Sequence, residues 1–195
     1  MNRTALGVRV KSGWAATVLL GSSGDVPLLL DSCRLELSDP GTPASLQPYH
    51  AGTGTAQTDQ RVIARLVALV ERCAERNLAA LLTRYRGINQ LPTMAAVVGT
   101  SATDPAKITN PHIRIHALEG QLFRRVAREA LTEHGVRCTS MLEQELASEA
   151  QRCLGRPNSV LQQELKALGG RAQGPWRSEQ KAAALAAWIL LARVD

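Results

Sequence analysis

Aromatic residues are scarce: three Trp, two Tyr and one Phe make up 3% of the 195 residues. A core must therefore be filled by Leu, Val and Ala, with Trp14, Trp176, Trp188 and Phe123 as the few large pieces. The same scarcity removes the base-stacking platforms on which aromatic single-strand binders depend. Long apolar runs are missing too, since no stretch reaches the roughly 18 residues that span a bilayer. Residues 1–7 carry one arginine and lead into an apolar stretch broken by Arg9 and Lys11, unlike the uninterrupted core of a secretory leader. A cytoplasmic protein with no membrane partner is the expectation. Cys33, Cys73, Cys138 and Cys153 stand far apart, with no CxxC pair and no histidine at a zinc-finger interval, so most of them read as core thiols.

Lysine is sparse in a basic chain. The net charge of +6 comes from 23 Lys+Arg against 17 Asp+Glu, and all but four of the 23 are arginine. Such a balance admits nucleic acid or another polyanion as a partner. Yet Arg65, Arg72, Arg76 and Arg84 fall along one predicted helix, and a solvated helix face accounts for much of the excess.

The 45% hydrophobic content is enough for one sizeable core, and residues 1–195 read as a single domain. Residues 5–10, 13–20 and 27–37 are predicted strands of a β-meander, the last two separated by a Gly/Ser turn at residues 21–25. In the third strand Leu35 and Leu37 face one way, Arg34 and Glu36 the other. Residues 39–58 are rich in Pro, Gly, Thr and Ser and read as a long loop, either an interaction element or simply loose. Asp59 is placed to cap a helix whose apolar positions Ile63, Leu66, Val67, Val70, Ala74 and Leu81 recur at helical spacing, ending near Arg86-Gly87. Met94–Gly99 reads as a buried parallel strand that delivers a loop to a ligand edge.

A polar loop is expected over residues 100–115. A second amphipathic helix follows, with Leu118, Leu122, Phe123, Val126, Ala130 and Leu131 on one face and His134-Gly135 closing it. Residues 136–141 form a fifth strand, residues 147–154 and 160–168 two short helical stretches, and residues 178–193 a final helix. The fold class is thus α/β, with a mixed five-stranded sheet, a three-strand meander followed by parallel strands, flanked by helices in the order β-β-β-α-β-α-β-α.

Few motifs carry chemistry on their own. Gly52-Thr53-Gly54-Thr55 is neither a Walker loop nor a dinucleotide fingerprint, because no lysine or strand-helix context accompanies it. No Ser-His-Asp or Cys-His arrangement can be assigned. His112, Arg114 and His116 alternate, so an extended loop points all three the same way. A metal pair from His112 and His116 requires that loop to coil into a helical turn, and no third ligand is evident, so structural or surface histidines are the favoured reading. Glu119 reads as a first-turn glutamate favoured by the helix dipole. Arg124, Arg125 and Arg128 suit a phosphate-tracking stripe, with solvated surface as the simpler account.

The element order and several short motifs resemble the RuvC-like and YqgF-like branch of the Holliday-junction resolvase superfamily, which has the ribonuclease H-like fold. The resemblance spans nearly the whole chain. Where that family's first strand ends in Gly-hydrophobic-Asp-x-Gly, this chain reads Gly7-Val8-Arg9-Val10-Lys11. Val97-Val98-Gly99 looks like the family's fourth strand, residues 143–150 look like the acidic segment after its fifth strand, and the Ala-rich residues 181–190 are similar to its Asp-led last helix. The resemblance implies a carboxylate centre holding two cations, but here Arg9 and Lys11 replace the Asp and Gly, and Lys181 or an alanine stands at the last acid, with Glu179 displaced by about half a turn. A guanidinium repels magnesium and cannot ligate it. By analogy the site end of the sheet gathers Arg9, Lys11, Lys107, His112, Arg114 and His116 into an anion pocket, unless Arg9 is instead neutralised by Glu143 across the vacated centre.

The leading expectation is a catalytically inactive resolvase-like domain that binds nucleic acid or a protein partner, with no cofactor and no metal. The runner-up is an active nuclease using magnesium or manganese on a relocated acid set, Asp104, Glu143, Glu145 and Glu179. A third reading is a structural subunit whose apolar last helix, residues 183–191, completes a homodimer; Trp188 on it is either interface or core, with core favoured.

Overall fold

The computed structural model describes residues 3–52, 55–100 and 103–193. Its first three strands are β1 (Thr4–Lys11), β2 (Trp14–Gly21) and β3 (Leu28–Glu36). β1 and β2 are joined by a two-residue turn in which Gly13 holds φ +80°, a left-handed conformation that tight hairpins require and that glycine adopts without strain. Helix α1 (Gln60–Gly87) crosses over to β6 (Met94–Gly99), and α2 (Pro111–Glu133) crosses to β7 (Arg137–Leu142). Between β3 and α1 lies a small hairpin of β4 (His50–Gly52) and β5 (Thr55–Ala56). The chain closes with α3 (Leu146–Leu154), α4 (Asn158–Gly169) and α5 (Ser178–Ala192).

The sheet order is β3-β2-β1-β6-β7, with β1, β2 and β3 antiparallel and β1, β6 and β7 parallel. Two cores sandwich it. On one face Leu6, Val8 and Val10 of β1 pack with Val70, Leu78 and Tyr85 of α1 and Phe123 and Val126 of α2. On the other, Ala5, Val18 and Val98 pack with Leu146 of α3, Leu161 and Leu165 of α4 and the buried length of α5. Gly7 sets the spacing of this second layer: a Cβ there would lie 1.8 Å from the carbonyl oxygen of Ala183. Only a residue without a side chain lets α5 seat this closely on β1.

The capping aspartate sits where the sequence placed it. Asp59 accepts from the backbone N–H groups of Arg61 at 2.8 Å and Val62 at 3.4 Å. Asp59→Ala is expected to lower stability by about 1 kcal/mol, the ordinary worth of an N-cap, read as a fall in the urea midpoint at unchanged slope.

Two expectations are corrected. Residues 100–115 are not one polar loop, because α2 begins at Pro111, with Asn110 accepting from the N–H of Ile113. A proline at the first helical position costs no hydrogen bond, since that N–H has no partner in any helix. Residues 39–58 are not structureless either: a 3-10 turn over Pro43–Leu46 and the β4–β5 hairpin organise them, and Asp39 accepts from Gly41 and Thr42. On α5, Trp188 is only 3% exposed and belongs to the core, the reading favoured for it over an interface. Tyr85, fully buried, is a core aromatic that the sequence reading did not single out. No helix of the described residues is long and apolar enough to cross a membrane. Thr53, Gly54, Ser101 and Ala102, from the Gly-Thr stretch and the loop after β6, lie outside the described residues.

Candidate functional site

The three parallel strands end together. Arg9 of β1 is level with Val98 of β6, and Val98 with Met141 of β7, so Glu143, just past β7, stands across one strand from Arg9. Alternation along β1 points Arg9 to the same face as Gly7, toward α5. Its side chain is 3% exposed and its Nη2 donates to Glu143 Oε2 at 2.5 Å, while Nη1 donates to the carbonyl of Val10. Glu143 is 36% exposed, so one end of the pair meets solvent. Arg9 Nε is buried without a hydrogen-bond partner among the described residues.

A second pair lies beside the first: Lys11 Nζ is 3.8 Å from Glu179 Oε1 at the start of α5. Glu179 is held below the usual glutamate range, first by its own backbone N–H, then by the Ser178 hydroxyl and the charges of Lys11 and Arg9, against the opposing effect of burial. The end of β1 therefore carries two cations, each facing a carboxylate. The other two candidate acids do different work. Asp104 accepts from the N–H of Ala106 and caps the 3-10 turn Pro105–Lys107, and Glu145 is exposed on the turn that starts α3. Divalent cations need several carboxylates converging on one point. These residues do not fit such a centre: among the described residues no three of these carboxylates come together, and Glu143 and Glu179 each face a cation.

On the opposite face a third cation, and second guanidinium, approaches. Gly99 ends β6, and a Cβ there would fall 2.2 Å from Cδ of Arg124, so glycine lets the α2 arginine lie across the strand end. Burial, and to a lesser extent the charge of Arg9, lowers the pKa of Arg124. Among the described residues no acid pairs with it. Arg124, Arg125, Arg128, Gln121, Tyr49 and Ser140 line a cleft of about 460 Å³ between α2 and the edge strand β7. Arg125 is tied to Glu71 and Glu129, both at 2.7 Å, whereas Arg128 is exposed.

The remaining basic candidates fall elsewhere. Lys107 is exposed on its 3-10 turn, and Arg114 Nε donates to the carbonyl of Ile108 at 2.8 Å. Among the described residues no hydrogen bond or ion pair joins Lys107, Arg114, His112 or His116 to Arg9 or Lys11. His112 and His116 do not alternate on a loop: in α2 they are one turn apart on one face, with Nε2 atoms 3.2 Å apart, and Arg114 points away from them. Glu119 is not in the first turn but in the third, fully buried, with Oε1 2.6 Å from Nδ1 of His50. Burial raises the pKa of Glu119, and His50 and His116 pull it back. His50 is the residue the sequence reading missed, and nothing local in a Gly/Thr-rich loop would have marked it.

Compared with family models and with curated protein sequences, the chain gives no match. Among solved structures it is similar to RuvC of Thermus thermophilus, at a TM-score of 0.56 and 12% identity over 97% of this chain and 93% of that one. It is equally similar to T. thermophilus RuvC in complex with a Holliday junction substrate, at 0.57 and 12% over the same shares. The yeast mitochondrial Holliday junction resolvase Ydc2 aligns at 0.48 and 10% over 96% of this chain and 77% of that one. The chain thus has the fold of the RuvC-like resolvases, the ribonuclease H-like α/β architecture.

Proposed function

We propose that this chain is a resolvase-like domain without two-metal phosphodiester cleavage, which binds the backbone of nucleic acid at the C-terminal end of its sheet. The carrying observation is Arg9, a 2%-exposed guanidinium ion-paired to Glu143 at the strand end where the fold's resemblance calls for a carboxylate. A fixed cation there neutralises Glu143 and repels a divalent ion, so the acids that remain stabilise the fold instead of collecting metal.

Ligand contact falls to the cations that stay open. Arg124 and Arg128 face the cleft beside β7, and Lys107 and Arg114 flank the start of α2. Guanidinium groups bind phosphate in bidentate fashion, and the cleft supplies Ser140 and Tyr49 as neutral partners. The similar T. thermophilus protein holds a Holliday junction, which makes a four-way DNA junction the first probe. Binding is expected to weaken steeply with salt, and Arg128→Ala to reduce the slope of log affinity against log salt by about 1. Magnesium or manganese is expected to yield no cleaved product. Cleavage that depends on either ion and disappears in Glu143→Ala would overturn the proposal, and a chain that ignores the junction at low salt would remove its nucleic-acid half.

A further inference from the structure

Away from the strand ends, three of the chain's four histidines converge. His50 comes from β4, His112 and His116 from the first turns of α2, and one ring nitrogen of each lies within 4.8 Å of the other two. The rings meet at an angle, not face to face, with the His50 and His116 centroids 5.0 Å apart and tilted by 50° and those of His112 and His116 4.5 Å apart and edge-on at 86°. Nothing apolar explains their meeting, since His112 and His116 are exposed.

We infer that His50, His112 and His116 form a binding site for a single zinc-class transition-metal ion, with Glu119 orienting the ligand His50. Two nitrogens on one tetrahedral zinc, each about 2.0–2.1 Å from the metal, stand about 3.3 Å apart. The His112 and His116 Nε2 atoms are 3.2 Å apart, so that edge of the coordination shell is already set. Nδ1 of His50 is held at 2.6 Å by Glu119, which leaves its Nε2 as the ligating atom. This is the carboxylate–histidine–metal arrangement that fixes the tautomer and raises ligand basicity. Glu119 is fully buried, its second oxygen makes no hydrogen bond among the described residues, and that oxygen is 3.6 Å from Nδ1 of His116. One buried carboxylate thus faces the outer nitrogens of two of the three rings.

The donor set decides the metal. Imidazole nitrogen suits zinc, copper and nickel, whereas magnesium and calcium take oxygen. Three protein ligands leave a fourth position for water or an anionic oxygen, the pattern of an open site. Occupied, it ties the β4–β5 hairpin to the start of α2, alongside the cleft that contains Tyr49, the neighbour of His50.

The test is a zinc titration of the untagged, chelator-stripped full chain in competition with a chromophoric chelator. One zinc per chain is expected, in the micromolar range or tighter, with cobalt giving the visible absorption of a tetrahedral site and excess magnesium failing to displace either. His112→Ala and His116→Ala, both at exposed positions and checked for folding by circular dichroism, should each weaken zinc at least about tenfold, and Glu119→Gln about 10–100-fold. His134→Ala is the control, since that histidine lies near Glu75 and outside the cluster. Zinc binding that is absent, or that survives both exposed-histidine variants, or that His134→Ala removes, overturns the assignment and leaves a hydrogen-bonded histidine pair.

Discussion

Gly7→Ala is expected to cost at least the upper end of the roughly 1–3 kcal/mol typical of overpacking a core. The added carbon would sit 1.8 Å from the Ala183 oxygen and 2.6 Å from its carbonyl carbon, and backbone cannot turn aside as a side chain can. Relief requires α5 to lift from β1, and α5 carries nine consecutive buried residues from Ala183 to Leu191 that form much of the second core. Guanidinium unfolding should show the midpoint falling, and Gly7→Val should fold poorly or not at all. Gly99→Ala is the informative contrast. There the clash is with Arg124, a flexible side chain, so a smaller loss is expected. Equal losses at the two glycines would mean that α5 is not seated as described.

Glu143→Ala carries the second large effect. It leaves Arg9 charged and 3% exposed, with the Val10 carbonyl as its one remaining hydrogen-bond acceptor among the described residues. Removing one member of a buried pair costs about 3–5 kcal/mol, and because Glu143 is 36% exposed, solvent brings the expected loss to roughly 2–3 kcal/mol. The double variant Arg9→Met, Glu143→Ala is expected to recover most of it, since an apolar side chain of similar length removes the stranded charge. A double variant no more stable than Glu143→Ala alone would show that the loss came from packing around β7 and not from the charge.

Much of the fold could be read from the residues. α1 was legible from its capping aspartate and its unbroken apolar spacing, and β6 from six small apolar residues ending in glycine. The start of α2 was not, because His112, Ile113, Arg114, Ile115 and His116 alternate polar and apolar like a strand. Asn110-Pro111, read on its own as a turn and helix entry, is the one local sign of a helix start, and the side chain of Asn110 does cap it. The Arg9–Glu143 pair joins residues 134 apart, yet it could be weighed in advance because the resemblance put both at one end of the sheet. Arg124 was visible only as one of a run of arginines, and its place over Gly99 depends on the registration of α2 against β6.

The histidine cluster marks the limit of reading a sequence by periodicity. His112 and His116 become a pair only once the helix begins at Pro111, and His50 joins them only because a hairpin inside a long loop folds back onto α2. Glu119, expected to be an ordinary first-turn acid, is instead a buried carboxylate at the centre of that meeting. Loops position chemistry through long-range contacts, which no local pattern encodes.

Anomalous scattering from crystals soaked in manganese addresses the central claim most directly. The expected result is no manganese between Glu143 and Glu179, with Arg9 still paired to Glu143. A manganese ion bonded to either carboxylate, with the Arg9 side chain displaced, would contradict it.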